Sequence, residues 1–353
     1  MDALFCYTLP HMEHTALYRK YRPEALADLI GQDHIVAAIE GALKRDTVAH
    51  AYLLSGSRGT GKTTTARILA RALGTSDTDI YEIDAASHTG VDNIREIREN
   101  VGSLPFDSKY KVYIIDEVHM LSKGAFNALL KTLEEPPSHV IFILATTELE
   151  KVPETIASRC QTFLFRRPSE AVLRTLIERT AKKEKLSLGA GVADLIAILA
   201  NGSFRDALGT LQKVMTVSGE KISLVDVERV TGTPSAVLVR DMIEAIGRGA
   251  LPEALAVCER ARSANLSMRT LLELVLHTFR RILLIKVAPT IAAGELAGLS
   301  EDDKVFIERM AKTESLHLSS QSLLALLDAA AQGKYALIES LPLEMALMKM
   351  LGR

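Results

Sequence analysis

The hydrophobic positions change their period at about residue 168. Before it, short apolar runs bounded by Gly, Asp and Ser alternate with stretches in which apolar residues recur every three or four positions. The runs predict strands, and the periodic stretches predict helices. The predicted strands are residues 51–55, 80–84, 111–116, 140–145 and 161–165. The predicted helices are residues 34–43, 62–73, 91–101 and 123–133.

Strands that alternate with helices predict an α/β fold, in which a parallel sheet is covered by helices on both faces. After residue 168 strand signals nearly vanish, so this part is predicted to be all-α. Its clearest helices are residues 171–185, 192–200, 204–217, 268–286 and 320–331. Gly232 and Pro234 mark a linker. We therefore predict three domains, at residues 1–167, 168–233 and 234–353, while residues 1–15 show no clear period.

Composition narrows the class of protein. The chain has 353 residues, 48% of them hydrophobic, with no Trp, so its cores must be built from Ala, Leu, Ile and Val. A net charge of −2 is not that of a uniformly basic nucleic-acid binder, so DNA contact would need a local patch or an assembly. The three cysteines form no CxxC pair, which argues against a zinc site or a disulfide framework. No run spans a bilayer and no signal peptide is evident, so a cytoplasmic location is expected.

A glycine-rich loop between a predicted strand and a predicted helix carries the strongest chemical signal. It matches G-x-x-x-x-G-K-[ST], whose backbone N–H groups wrap phosphates at a helix N-terminus. Lys62 is expected to reach the β- and γ-phosphates of ATP, and the Thr63 hydroxyl to ligate Mg²⁺. The nucleotide-binding residues predicted here are Gly56, Ser57, Arg58, Gly59, Thr60, Gly61, Lys62, Thr63 and Thr64.

Asp116 and Glu117 end an apolar strand, and ligands of such sheets bind at the carboxyl ends of the strands. Either acid alone would most simply cap the next helix. Beside a phosphate loop, however, Asp116 can hold Mg²⁺ and Glu117 can polarise the attacking water. The run D-E-V-H also resembles a helicase signature, which keeps a helicase as an alternative.

Three further residues have both a functional and an ordinary interpretation. Thr147 can sense the γ-phosphate from a strand tip, or it can merely end a strand. Arg159 can be an arginine finger that acts on a neighbouring subunit's nucleotide, or a surface charge. Arg205 can reach back to the phosphate from the second domain, or it can be an ordinary helix-start arginine.

Several segments together resemble one family. LYRKYRP at 17–23 and IGQ at 30–32 resemble the opening of AAA+ ATPases of the clamp-loader clade. EIDAAS at 82–87, GVD at 90–92 and LLKTLEEPP at 129–137 are similar to the bacterial gamma/tau subunits in particular. SRC at 158–160 resembles clamp loaders generally, and LPLEMAL at 341–347 resembles the end of the family's helical collar. The resemblance covers nearly the whole chain.

The resemblance implies an AAA+ P-loop ATPase domain, a small helical lid domain and a C-terminal helical collar that oligomerises. It implies an ATPase subunit of the DNA polymerase III holoenzyme that does not itself polymerise. Such a subunit works in a five-membered hetero-oligomeric ring, which uses ATP and Mg²⁺ to open a sliding clamp and load it onto primer–template DNA. Thr147 would be the first sensor, Arg159 the finger acting in trans and Arg205 the second sensor.

The sequence departs from this family in two places. The usual four-cysteine zinc module is replaced by residues 73–79, which contain no cysteine, so zinc is not expected. Longer members continue beyond the collar into a segment that binds the polymerase and the helicase, and this chain is expected to lack those contacts unless a longer product or another protein supplies them.

DNA contact and rival functions remain open at this point. Arg95, Arg98 and Lys123 are candidates for touching the DNA backbone, although each is as easily a solvated surface charge. A helicase or Holliday-junction branch-migration motor is the alternative; the helical collar and the lack of a late strand pair for a winged helix argue against it. A non-catalytic scaffold is disfavoured because the phosphate-loop residues and both acids are present.

Overall fold

The computed structural model describes residues 15–87, 94, 97, 99–290, 294, 296, 299–333 and 335–352. The chain forms two compact units. Unit 1 comprises residues 1–168 and 203–209, and unit 2 comprises residues 169–202 and 210–353. The division into three domains stays a prediction.

Unit 1 is built on a five-stranded sheet in the order β2-β3-β4-β1-β5. Every strand pair is parallel, which confirms the predicted α/β architecture. Ser55 pairs with Thr146, and Asp84 pairs with Asp116, so the polar carboxyl ends of these strands lie along one edge. The strands are β1 Ala51–Ser55, β2 Ile80–Asp84, β3 Lys111–Asp116, β4 Val140–Thr146 and β5 Gln161–Leu164.

Successive strand residues face opposite sides of the sheet, and each side has its own apolar core. Leu53 and Ile115 belong to one core, while Leu54 and Ile114 belong to the other. The central strands are buried along almost their whole length because helices cover both faces. The helices of unit 1 are α1 Leu17–Lys20, α2 Asp33–Lys44, α3 Lys62–Ala72, α4 Lys123–Glu134 and α5 Glu154–Ala157. The predicted helix 91–101 falls largely outside the described residues.

A short turn lies within residues 73–79, the segment where the family that this sequence resembles usually has a zinc module. Residues Asp77–Asp79 form a single 3₁₀ turn. The buried Asp79 carboxylate accepts the backbone N–H groups of Phe106 (2.6 Å) and Asp107 (2.9 Å). Burial opposes ionisation of Asp79, but these hydrogen bonds lower its pKa below the usual range. The turn is thus tied to the segment before β3 by a carboxylate.

Unit 2 is almost entirely helical, and serine hydroxyls cap six of its helices. Ser169, Ser223, Ser235, Ser267 and Ser300 are among the N-caps whose hydroxyls accept a backbone N–H of the first turn. The helices are α6 Glu170–Lys183, α7 Val192–Leu199, α8 Phe204–Ser218 (residues 204–209 belong to unit 1), α9 Leu224–Thr231, α10 Ala236–Arg248, α11 Leu251–Ser263, α12 Met268–Val287, α13 Glu301–Lys312, α14 Ser320–Gln332 and α15 Leu341–Leu351.

Unit 2 contains a small two-stranded sheet that the sequence pattern did not predict. Ser187–Leu188 (β6) and Lys221–Ile222 (β7) pair in parallel as a two-stranded sheet. Two residues per strand are too few to give an apolar period that can be recognised in the sequence. The pair is parallel, so it is not a hairpin of the kind that forms a wing.

A buried charged cluster lies inside unit 2. The Arg281 guanidinium contacts both oxygens of Asp194 at 3.1 and 3.3 Å, and Glu170 at 3.4 Å. His277 Nδ1 lies 3.1 Å from Glu170, and this contact lowers the pKa of that carboxyl. Burial raises the pKa of Asp194, although Arg281 opposes it. The cluster borders a cavity of ≈ 90 Å³ and ties α6 and α7 to α12.

Within the described ranges, no helix has the length and apolar character needed to cross a membrane.

Candidate nucleotide site

Three glycines of the loop that leads from β1 into α3 have a positive φ: Gly56, Gly59 and Gly61. Gly61, at the N-cap of α3, has φ +104°. Gly59 has φ +74°, and a β-carbon there would lie 2.0 Å from Ser203 Oγ. A side chain at Gly59 would therefore be both strained and obstructed. The loop leads into the N-terminus of α3, and the backbone N–H groups at a helix N-terminus stabilise an anion. Arg58 is exposed on the loop.

Lys62 is buried, with 5% of its surface exposed. Its ammonium donates to the carbonyl oxygens of Gly56 (2.8 Å) and Ser57 (2.9 Å). Burial lowers the pKa of Lys62, and the carboxylates of Glu117 and Asp116 only partly oppose this. A dehydrated cation held by neutral carbonyls is suited to receive phosphate oxygens.

Thr63 and Asp116 meet where α3 begins and β3 ends. Thr63 Oγ1 donates to Asp116 Oδ2 at 2.5 Å. A hydroxyl and a carboxylate at this spacing form a pair of oxygen donors of the type that Mg²⁺ prefers. The residues therefore fit a magnesium ion beside the phosphate loop.

Glu117 and Thr147 face each other across the ends of β3 and β4. The Thr147 hydroxyl donates to Glu117 Oε2 at 2.9 Å, and the Thr147 N–H donates to the same oxygen at 3.3 Å. Glu117 adopts φ +48°, a left-handed backbone that costs a non-glycine residue about 1–3 kcal/mol. The strained backbone and the two donors fix the direction of this carboxylate.

The remaining polar loop residues are held by neighbouring side chains and carbonyls. Thr60 Oγ1 donates to the Ser57 carbonyl oxygen at 2.8 Å. Arg167 Nε donates to Ser57 Oγ at 2.7 Å, and Arg22 Nε donates to Thr64 Oγ1 at 2.9 Å. The two arginines add positive charge next to the loop, and sequence reasoning did not single them out as site residues.

Arg205 lies close to the loop through the start of α8. The Phe204 N–H donates to the Gly59 carbonyl oxygen at 3.0 Å. The Arg205 guanidinium carbon stands 4.9 Å from the ring centroid of Tyr18, a cation–π contact. This stacking holds Arg205 next to the segment that opens the described chain.

Arg159 is not part of the Lys62 cluster. Its guanidinium donates to Glu134 Oε1 at 2.9 Å and to the Thr155 carbonyl oxygen at 2.8 Å. Both members of the Arg159–Glu134 pair are more than one third exposed. The next residue, Cys160, is partly buried, and burial raises the pKa of its thiol to about 11. Arg159 thus lies at an accessible surface, outside the loop's own ligand sphere.

His119 is the main site residue that sequence reasoning missed. Its side chain is 6% exposed and lies between the ends of β3 and β4. The sequence signal for His119 is its position two residues after Glu117 in the D-E-V-H run.

Of the candidate DNA contacts, Arg95 and Arg98 lie outside the described residues, and Lys123 is exposed at the start of α4. Among the side chains that the structure describes, no group of three or more His, Cys, Asp or Glu is arranged to hold a metal ion. The expectation of no zinc stays a prediction.

The parallel sheet, the glycine-rich loop before α3 and the polar residues at the ends of β3 and β4 define an AAA+ nucleotide-binding protein. The solved Holliday-junction branch-migration motor RuvB of Thermotoga maritima shares this fold, at 25% identity and a TM-score of 0.51, over 64% of this chain and 79% of that one.

Sequence relatives show to which family of AAA+ proteins the chain belongs. The chain is 39% identical to DNA polymerase III subunit tau of Bacillus subtilis, over 90% of this chain and 59% of that protein. It is 42% identical to DNA polymerase III subunit gamma of Buchnera aphidicola, over 64% of this chain and 68% of that protein. A family model described as DNA polymerase III, delta subunit, matches residues 75–169. The chain belongs to the DNA polymerase III gamma/tau family. It spans 46–59% of the first three curated relatives.

Proposed function

We propose that this chain is the ATP-hydrolysing subunit of a bacterial clamp loader. In this proposal the assembly binds ATP, opens a sliding clamp, places it on primer–template DNA and releases it upon hydrolysis. The observation that carries the proposal is the arrangement around buried Lys62: Thr63 beside Asp116, and Glu117 held by Thr147. Many ATPases use such a site for other purposes. We assign this one to DNA replication because the chain belongs to the gamma/tau family of DNA polymerase III.

Each residue has a distinct role in the proposal. Lys62 binds the β- and γ-phosphates, and Thr63 and Asp116 hold Mg²⁺. The metal ion, when bound, neutralises charge that develops on the phosphates. Glu117 orients the attacking water and accepts its proton. Thr147 keeps the Glu117 carboxylate aimed and relates it to the state of the γ-phosphate.

Arg159 acts on the nucleotide of a neighbouring subunit. The guanidinium of Arg159 is accessible on the connection before β5, so it can reach the nucleotide of a neighbouring subunit as an arginine finger acting in trans. Within its own subunit, Lys62 is the cation at the phosphate loop. The proposal therefore requires an assembly, which we take to be a hetero-oligomeric ring of five subunits in the cytoplasm. Arg205, which is stacked on Tyr18 and follows the residue that contacts Gly59 of the loop, is the second sensor. The subunit hydrolyses ATP and does not itself polymerise.

The alternative is a DNA branch-migration motor. The fold likeness to the Thermotoga maritima RuvB motor supports it, at 25% identity. Identities of 36–42% to gamma and tau subunits favour the clamp loader.

The deciding experiment is an ATPase assay of the chain alone, then with its loader partners, the sliding clamp and primed DNA. The clamp-loader proposal expects slow turnover alone and strong stimulation only with all components present. Stimulation by a Holliday junction alone, with strand exchange, would contradict it and support the motor. Lys62→Ala is the matched inactive control.

A further inference from the structure

His119 contacts residues at the ends of two strands. It lies in the 3₁₀ turn Val118–Met120 that follows β3. Its Nδ1 is 3.0 Å from Thr146 Oγ1, at the end of β4, and its Nε2 is 3.3 Å from Glu148 Oε1, two residues further on. The same Nδ1 is 3.5 Å from Glu117 Oε2. One buried imidazole therefore touches both neighbours of Thr147 in sequence.

The hydrogen-bond network assigns the tautomer of this ring. Thr146 Oγ1 accepts the Glu148 N–H at 3.0 Å, so its own proton is available for His119 Nδ1. His119 Nε2 then carries the proton and donates to the Glu148 carboxylate. A hydrogen bond from Lys151 lowers the pKa of Glu148, which keeps that acceptor ionised. Nδ1 is an acceptor and presents no proton to Glu117.

Glu117 consequently takes its hydrogen bonds from Thr147 and not from the ring. Both donors of Thr147 reach the same Glu117 oxygen, at 2.9 and 3.3 Å. Their direction depends on the backbone of residues 146–148, because one of them is the backbone N–H itself. His119 holds this backbone on either side of Thr147.

We propose, on the basis of the ATP hydrolysis proposed above, that His119 is a positioning residue: through Thr146 and Glu148 it fixes the backbone that aims Thr147 at Glu117. His119 does not touch the nucleotide. Its removal allows the Thr147 donors to drift from Glu117 Oε2, and the water-activating carboxylate loses its orientation. Misplacement of a catalytic group by about 1 Å costs roughly a hundredfold in rate.

Three substitutions separate the two contacts of the ring. His119→Phe fills the site and removes both. His119→Asn retains a polar atom near the Nδ1 position, and His119→Gln retains one near the Nε2 position. In the assembled loader, we expect His119→Phe to lower kcat roughly ten- to hundredfold with the KM for ATP changed less than about threefold. The Asn and Gln variants should fall between this value and wild type.

A double substitution tests whether His119 acts through Thr147. If it does, adding His119→Phe to Thr147→Val lowers kcat less than adding it to wild type, because the hydroxyl is gone and only the longer contact from the Thr147 N–H to Glu117 remains to be aimed. A further loss equal to the full His119→Phe effect would overturn the proposal, as would wild-type kcat in His119→Phe. Should His119→Phe fail to fold, the Asn and Gln variants in the Thr147→Val background carry the same comparison.

Controls keep this inference separate from the proposed function. His50→Asn changes an exposed histidine of unit 1 and should leave kcat unchanged. A wild-type loader that hydrolyses no ATP would refute the proposed function. A wild-type loader that hydrolyses ATP, with unchanged kcat in every His119 variant, would refute the role of His119 alone.

Discussion

Replacing Lys62 by Met is expected to stabilise unit 1 without nucleotide and to abolish its stabilisation by MgATP. Lys62 is 5% exposed, and its ammonium is held by two neutral carbonyls. Its lowered pKa means that the surroundings disfavour the charged form, even with two carboxylates nearby. Met preserves much of the stem's volume and length and removes the charge.

The magnitude follows from opposing contributions. Dehydration of a buried ammonium costs several kcal/mol, and each hydrogen bond from a charged donor returns about 1.5–3 kcal/mol. Because the pKa of Lys62 stays below its usual value, the return is incomplete. We expect Lys62→Met to raise the free energy of unfolding by about 0.5–2 kcal/mol, the range in which single stabilising substitutions commonly fall. For a unit of 150–250 residues, each kcal/mol raises Tm by about 2–4 °C.

The gain should also depend on pH in a defined direction. The pKa of Lys62 is lower in the folded chain than in the unfolded chain. Burial of the charged lysine therefore destabilises the folded chain fully at pH values below the folded-state pKa of Lys62. This destabilisation disappears as pH rises towards the pKa of lysine in the unfolded chain, about 10.4. The difference in Tm between Lys62→Met and wild type should be largest at neutral pH and narrow above it.

Calorimetry of the full chain, with and without MgATP, provides the measurement. At about 100 times Kd, MgATP should stabilise the wild-type chain by about 2.7 kcal/mol and leave Lys62→Met unchanged. Lys44→Met, which alters an exposed lysine of the same unit, is the matched control and should keep the nucleotide effect. A Tm for Lys62→Met below that of Lys44→Met, or a retained MgATP effect, would refute the reasoning.

The other predictions concern the finger, the loop and the buried charges. Arg159→Ala should leave nucleotide affinity intact and lower turnover of the assembled ring by about 10³-fold or more; a normal steady-state rate would exclude the finger. Gly59→Ala should cost about 1–3 kcal/mol in denaturant unfolding, because φ is +74° and its β-carbon would lie 2.0 Å from a seryl oxygen; an unchanged midpoint would contradict this. Arg281→Met should destabilise unit 2 by about 3–5 kcal/mol, since Asp194 stays buried without its main partner. The exposed Arg262→Met control should cost less than about 1 kcal/mol, and equal losses in the two variants would contradict the role of burial.

The sequence predicted the sheet well because its signals are local. Three strands have the predicted bounds, and 140–145 and 161–165 differ by one residue at one end. Short apolar runs that end in Ser or Asp define buried parallel strands without knowledge of the rest of the chain. The phosphate loop was equally local, because its spacing lies within nine residues.

Contacts between distant segments were beyond such reasoning. The ring of His119 joins Thr146 and Glu148 across 27 and 29 positions, and the Arg205 stack joins Tyr18 across far more. Neither follows from periodicity, since each depends on which distant segments of the chain pack together. The order β2-β3-β4-β1-β5 brings the end of β4 next to that of β3, and only then does His119 become a site residue. The predicted roles of loop residues 56–64, of Asp116 and Glu117, and of Thr147, Arg159 and Arg205 all stay predictions.

The stacking of Arg205 on Tyr18 offers an optical handle on this protein. The chain has no Trp, so its ultraviolet emission comes from tyrosine, and indole can be introduced as a single emitter. Trp at position 18 would place that emitter beneath a guanidinium, which makes its colour and intensity sensitive to the position of that cation. A change in emission upon addition of nucleotide would then follow the start of α8 in real time, in a background free of competing indoles.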